Sequence, residues 1–509
     1  MMFLQALQTV LTPKVLFLVA VGATSGIIIG ALPGLTVTMA TALLVSITFG
    51  WNVTNALAMI MGVFCGGVYG GSISAVLLNI PGAPAAVATG FDGYPIAKRG
   101  EAGYALGLAR LASFVGGLLG TLALATSAPA LARFALGFGP FEYLMLILLG
   151  LTIIGSVSQG SFLKGMIAGF IGLFISSIGM DPVYGIGRFT FGSVQLMGGI
   201  NFIPALIGLF GMSEVLTQLR TSSAGVKPIT NFGRVVPRLR DVLKMWGLCI
   251  RSALIGTWVG ALPGIGGEIA ALMAYDSAKR TVRKPSRPFG EGAVEGVVAP
   301  EVANNACIGG ALIPMLTLGI PGDAVTAVMI GAFMIHGMRP GPLLMQYSAD
   351  MFWLIVALSL VANVTFLLIG LVITKYAPRI LSIRKEILMP IVMMLCVVGS
   401  FALQNSMFDI LIMVAAGVLG YVLRSLGFPV GPVVIGIVLG GMADSELRRS
   451  IIMSRGDVLG TFLTRPVAVV IFVVLLVQVA AQSSTVRSLF GRWTRRIQLS
   501  IAGGKGSQG

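Results

Sequence analysis

Charge is scarce in this 509-residue chain: Asp, Glu, Lys and Arg make up 10% of it, against about a quarter in soluble domains. With a mean hydropathy of +0.96, that scarcity excludes an ordinary soluble globular protein. Disorder is excluded too, because disordered chains are poor in apolar residues and this one is 56% apolar. Histidine occurs once, at His336, so the His-Glu-x-x-His zinc motif cannot be built. The four cysteines (Cys65, Cys249, Cys307 and Cys396) stand alone in apolar stretches without a CxxC pair, so neither disulfides nor a zinc site is expected. No Gly-x-x-x-x-Gly-Lys-Ser/Thr loop is present; Gly503-Gly-Lys-Gly-Ser507 fails the spacing, so the chain is no ATPase by itself. The Gly-x-Gly-Asp signature of intramembrane aspartyl proteases is also missing. Acidic residues are outnumbered 18 to 34. The basic excess lies in short runs between apolar segments, where the positive-inside rule puts it, so no nucleic-acid partner is expected.

What is abundant is apolar sequence, enough for roughly a dozen bilayer-spanning helices of about 20 residues. Apolar stretches fall near 14–32, 35–51, 54–78, 104–127, 141–158, 161–179 and 200–217. They resume at 245–263, 303–320, 323–338, 351–374, 388–403, 408–423, 429–442 and 465–482. Several are short or broken by Gly-Pro. The first positive charge is Lys14 and no cleavage site follows, so the first run is expected as a retained span. The expected fold is an all-α polytopic integral membrane protein with about 11 to 13 transmembrane segments, some broken or re-entrant.

An internal repeat organises these segments. Gly30-Ala-Leu-Pro-Gly34 recurs as Gly260-Ala-Leu-Pro-Gly264, Tyr69-Gly-Gly-Ser72 as Ile308-Gly-Gly-Ala311, and Ile80-Pro-Gly82 as Ile320-Pro-Gly322. The offsets are 230, 239 and 240 residues. The expected organisation is a membrane repeat over 1–217, a basic cytoplasmic linker over 218–245, a second repeat over 246–482, and a basic cytoplasmic tail over 483–509. The two repeats are expected in inverted topology. The tail carries Arg487, Arg492, Arg495, Arg496 and Lys505 with no acidic residue.

Proline removes a backbone donor and glycine lets the chain reverse. A helix broken inside the membrane exposes N–H groups that suit an anion and C=O groups that suit a cation. The candidate substrate-binding residues are therefore Pro81, Gly82, Pro321 and Gly322 at the breaks, with the amides Asn304 and Asn305. Cation coupling is assigned to Asn79, Thr317 and Asp323, although Asp323 can equally cap the next half-helix. Arg110 and Arg251 lie inside apolar runs and can pair an anion or snorkel to an interface. Glycines four residues apart (Gly62, Gly66 and Gly70; Gly116 and Gly120; Gly436 and Gly440) read as close helix packing rather than chemistry. No catalytic residue and no metal site are expected.

These motifs as a set resemble the TctA family, the large permease subunit of the tripartite tricarboxylate transporters. The matching stretches are Gly30–Gly34, Tyr69–Ser74, Leu78–Gly82 and Asp92-Gly-Tyr-Pro95 in the first half. In the second half they are Gly260–Gly267, Glu295-Gly-Val-Val-Ala-Pro-Glu301 with Asn304-Asn305, and Gly309–Gly322. The resemblance implies a multi-pass permease of the bacterial inner (plasma) membrane. It implies a small membrane subunit (TctB-like) and a periplasmic solute-binding protein (TctC-like) as partners, beside the lipid bilayer. It also implies uptake of an organic carboxylate such as citrate by symport with H⁺ or Na⁺, with no cofactor and no enzymatic activity. The alternatives are a membrane channel, which favours rotational oligomers with one filter per subunit, and a membrane-embedded enzyme.

Overall fold

In the computed structural model of this chain, residues 1–157, 161–181, 184–220, 228–229, 233, 237, 241–242 and 244–482 are described. Most of the 218–245 linker and all of the 483–509 tail lie outside the described residues. The first half contains α1 (Met2–Val10), α2 (Pro13–Ala31), α3 (Val37–Ile47), α4 (Val53–Leu78), α5 (Val87–Ile96) and α6 (Ala102–Ala135). It continues through α7 (Pro140–Val157), α8 (Phe162–Ser176) and α9 (Phe202–Arg220). The second half contains α10 (Trp246–Gly260), α11 (Gly266–Thr281), α12 (Val294–Leu318), α13 (Ala324–Ile335) and α14 (Ala349–Leu381). It ends with α15 (Lys385–Gln404), α16 (Met407–Ser425), α17 (Gly431–Met453) and α18 (Pro466–Gln482).

Among the described residues, eight helical runs are long and apolar enough to cross a membrane, and five shorter apolar helices accompany them. The protein is thus an all-α polytopic membrane protein. Its sheet, among the described residues, is one two-residue antiparallel pair, Gly179–Met180 with Gly187–Arg188. Helix α12 is buried on every side and packs against α6, α10 and α11, while α4 packs against α2 and α14. The outer helices α15, α16 and α18 expose Met394, Leu411 and Val477, as lipid-facing helices do.

The helices stop where the sequence breaks. Helix α4 ends because Asn79 turns left-handed (φ 58°) just before Pro81. Helix α12 ends at Gly319 (φ 73°) just before Pro321. The two Gly-Ala-Leu-Pro-Gly segments separate α2 from α3 and α10 from α11. All four expected breaks are present. The breaks also touch in pairs within each half: Gly82 packs on the Gly30 carbonyl, and Gly264 donates its N–H to the Gly322 carbonyl at 2.7 Å.

Small residues let these helices approach closely. Gly26, Gly30 and Gly70 sit against the carbonyls of Val63, Gly67 and Ile27 across the α2–α4 contact. Gly256, Gly260 and Gly310 sit the same way against the carbonyls of Ala303, Cys307 and Thr257 across α10–α12. Each residue of the second set is its first-half counterpart displaced by 230 residues on the shorter helix or 240 on the longer one. A Cβ on any of these six glycines would lie 2.1–2.5 Å from a carbonyl oxygen. The other four-residue glycine spacings also mark close contacts: Gly116 and Gly120 lie on Val302 and Ala306, and Gly436 lies on Gly169.

The two halves are fastened away from the breaks. Asp92, in the Asp-Gly-Tyr-Pro motif of α5, accepts from the backbone N–H groups of Gly290, Gly292 and Ala293 at 2.7–2.8 Å. Its other oxygen accepts from the Tyr275 hydroxyl at 2.9 Å. Burial and this bond to a carboxylate raise the Tyr275 hydroxyl above its ordinary value. The motif thus clamps the loop that leads into α12. The linker is also tied down at one point, where Ile229 donates its N–H to the Leu77 carbonyl at 3.2 Å.

Candidate functional site

A cavity of about 570 Å³ lies where the breaks meet. Its wall includes the first turns of four helices: Thr36–Thr38 of α3, Gly266–Glu268 of α11, Asp323–Val325 of α13, and Val430–Gly431 of α17. These starts are set locally. Thr36 caps α3 by accepting from the Met39 N–H at 3.1 Å. Asp323 caps α13, accepting from the Thr326 N–H at 2.7 Å while its own N–H donates to Thr326 Oγ1 at 2.9 Å. Asp323 is therefore engaged as a helix cap, one of the two roles expected of it. The first N–H groups of a helix have no partner within it and carry about half a positive charge per helix end. The caps at Thr36 and Asp323 take up some of these groups, and the remaining N–H groups of the four ends can donate to an anionic solute in the chamber.

Two side chains add donors. Asn304 is 4% exposed, lines the cavity, and its Nδ2 has no partner among the described residues. Arg424, from the end of α16, also lines it, and its buried Nε is likewise unpartnered among the described residues. Nη1 of Arg424 is held by an ion pair with Glu214 on α9. Glu214 in turn accepts from Gln218 Nε2 at 2.8 Å, and Gln218 accepts from Lys385 Nζ at 2.8 Å. Gly34 (φ 93°) packs on the Gln218 side chain, so this brace abuts the first break. Phe210, in a π-helical turn of α9 (Ile207–Met212), contributes apolar wall. Glu268 and Asp323 are also among the lining residues.

The residues singled out in the sequence fall in different places. Asn304 is on the cavity, but Asn305 is not in its wall: it is fully buried and its Nδ2 donates to the Glu301 carbonyl at 3.0 Å. Pro81, Gly82, Pro321 and Gly322 stand behind the wall, which is formed by the residues that follow them, Ala83–Ala85 and Asp323–Val325. Asn79 is an exposed helix terminator. Thr317 is buried and spends its hydroxyl on the Ile313 carbonyl at 2.7 Å. Arg110 is buried inside the bundle and does not reach the cavity wall.

Two residues were given no role from the sequence, although Glu301 ends one of the family motifs. Arg424 ends an apolar run and so looks like an ordinary flanking charge. Glu301 is fully buried on α12, where Ser72, Thr89 and Ser113 donate to its carboxylate at 2.5, 2.5 and 2.6 Å. Its hydroxyl partners lie 188–229 residues earlier in the chain, so no spacing rule could have found them.

Broken membrane helices that turn their first turns onto one polar chamber define a membrane transporter. The chain belongs to the tripartite tricarboxylate transporter TctA family, whose family model matches residues 16–435. It is similar to an uncharacterized 52.8 kDa protein in the TAR-I ttuC' 3' region of Agrobacterium vitis. The two are 38% identical over 464 residues, covering 91% of each chain. An uncharacterized protein in the TAR-II ttuC' 3' region of the same organism is 37% identical over 213 residues, 42% of this chain and 87% of that one. No solved structure matches the chain.

Proposed function

We propose that this chain is the permease subunit of a binding-protein-dependent secondary transporter. It imports an organic carboxylate, a tricarboxylate such as citrate or a related acid, across the bacterial inner membrane by symport with H⁺ or Na⁺. The observation that carries this reading is the convergence of four helix starts, the free Asn304 amide and Arg424 on one chamber. Four helix ends supply about two positive charges in all. That roughly offsets Glu268 and Asp323 on the same wall, but leaves a di- or tricarboxylate uncompensated. A co-transported cation supplies the missing charge. A small membrane subunit and a periplasmic solute-binding protein complete the system. The matched glycine contacts of α2–α4 and α10–α12 support descent of the two halves from one repeat, for which inverted topology is the proposed arrangement.

The test is uptake of labelled di- and tricarboxylates into membrane vesicles with the cognate binding protein, under imposed Na⁺ or pH gradients. Accumulation against a gradient, abolished by the matching ionophore, is expected. Purely downhill, gradient-independent flux would point to a channel instead. The orientation has its own check. An alkaline phosphatase reporter fused near Gly509 should be inactive, because the uncompensated arginines of the tail hold it in the cytoplasm.

A further inference from the structure

Glu301 poses a charge problem that the substrate chamber does not solve. It is 0% exposed, at the second turn of a helix buried on every side. Among the described residues its carboxylate receives three hydroxyl protons and no Lys or Arg. Arg110 of α6, also buried, has no partner for its Nε and Nη1 among the described residues and does not turn to Glu301. Hydroxyls that donate to both oxygens stabilise the ionised carboxylate. An ionised carboxylate inside a membrane bundle without a counter-charge is costly, and such residues mark ion pathways.

We propose that Glu301, Ser72, Thr89 and Ser113 form the binding site of a sodium ion, the coupling cation of the transport reading on which this inference rests. The site offers five oxygen atoms, two from the carboxylate and three from hydroxyls, with no nitrogen or sulfur. Each hydroxyl now spends its proton on Glu301 but keeps lone pairs, so rotation about its C–O bond turns a donor into a ligand. Calcium takes six to eight oxygens and is usually held by several carboxylates. One negative charge with neutral oxygens balances a monovalent ion instead. The ligands also join the halves, because the hydroxyls come from α4, α5 and α6 and the carboxylate from α12. Asn304 lies three residues beyond Glu301, one helical turn away, and Asn305 bonds the Glu301 carbonyl. Neutralising Glu301 therefore acts beside the amide that faces the substrate chamber.

The test uses the purified full-length chain without substrate. Thermal unfolding and binding of labelled sodium are followed as NaCl replaces choline chloride at constant ionic strength. Wild-type protein should gain thermal stability with NaCl, and Glu301→Gln, which keeps the shape and removes the charge, should lose that response. Ser113→Ala and Thr89→Val, milder changes that keep the test open if the first variant misfolds, should need at least about tenfold more NaCl. Asp350→Asn, an exposed acid on α14, should respond like wild type. A wild-type sodium response in Glu301→Gln overturns the assignment. So does a wild-type protein that ignores NaCl and responds only to pH, which would make the site a proton carrier. Failure here is separable from failure of the transport reading. Sodium-driven uptake untouched by Glu301→Gln removes the site alone, whereas sodium bound at Glu301 without gradient-driven uptake removes the transport reading alone.

Discussion

Replacing Gly82 or Gly322 by leucine should abolish uptake. A Cβ at Gly82 would lie 2.1 Å from the Gly30 carbonyl oxygen, and one at Gly322 would lie 2.5 Å from the Gly260 carbonyl oxygen. In each half the obstacles include backbone of the other break, and at Gly322 also the backbone of Ala311 in α12, so the segment cannot yield without shifting its neighbours. Overpacking a tight site typically costs about 1–3 kcal/mol. Here the displacement would also pass into the first turns of α3 and α13, which line the chamber. The alanine versions should already lower uptake well below wild type at equal membrane abundance, measured by immunoblot. Gly441→Ala is the control, since nothing lies within 4 Å of its added carbon. Normal uptake by Gly322→Leu would mean that the break is a packing accident with no bearing on the chamber.

How much of this could be read from the sequence follows from the range of the forces involved. The breaks were legible because proline and glycine act locally: Pro81 and Pro321 lack a backbone donor, and Gly34, Gly264 and Gly319 take left-handed angles that side chains resist. Asn304 was legible as an amide inside an apolar run. That its neighbour Asn305 points elsewhere was not, because consecutive helix positions differ by about 100° around the axis and only the packing of α12 decides which one meets the chamber. Arg424 and Glu301 take their meaning from partners on other helices. Glu214 is 210 residues from Arg424, and Ser72 is 229 residues from Glu301. The repeated motifs hinted at two similar halves, but the matched contacts of Gly26, Gly30 and Gly70 with their counterparts emerge only when the helices are packed.

Asn304 should set the affinity of the chamber for its substrate. Among the described residues its buried Nδ2 has no partner, so the protein has already met the cost of holding a donor away from water. A carboxylate oxygen that accepts from it recovers that cost, which makes the bond worth more than one formed from a hydrated amide. Asn304→Ala should therefore weaken apparent affinity by about 1–3 kcal/mol, or roughly 5- to 150-fold. The loss should appear as a raised KM for uptake with the maximal rate less affected, because an interaction made equally in the bound and transition states changes binding alone. Asn304→Asp tests the sign of the field. It keeps the size of the side chain but sets a carboxylate against a carboxylate beside Glu268 and Asp323, so it should transport worse than the alanine variant. Asn305→Ala should leave KM nearer to wild type, since its amide is occupied by the Glu301 carbonyl. Wild-type uptake by Asn304→Ala at limiting substrate would reject the chamber as the substrate site, and so would an aspartate variant that outperforms the alanine one. Equal KM changes at both asparagines would instead mean that substrate reaches beyond the chamber toward Glu301.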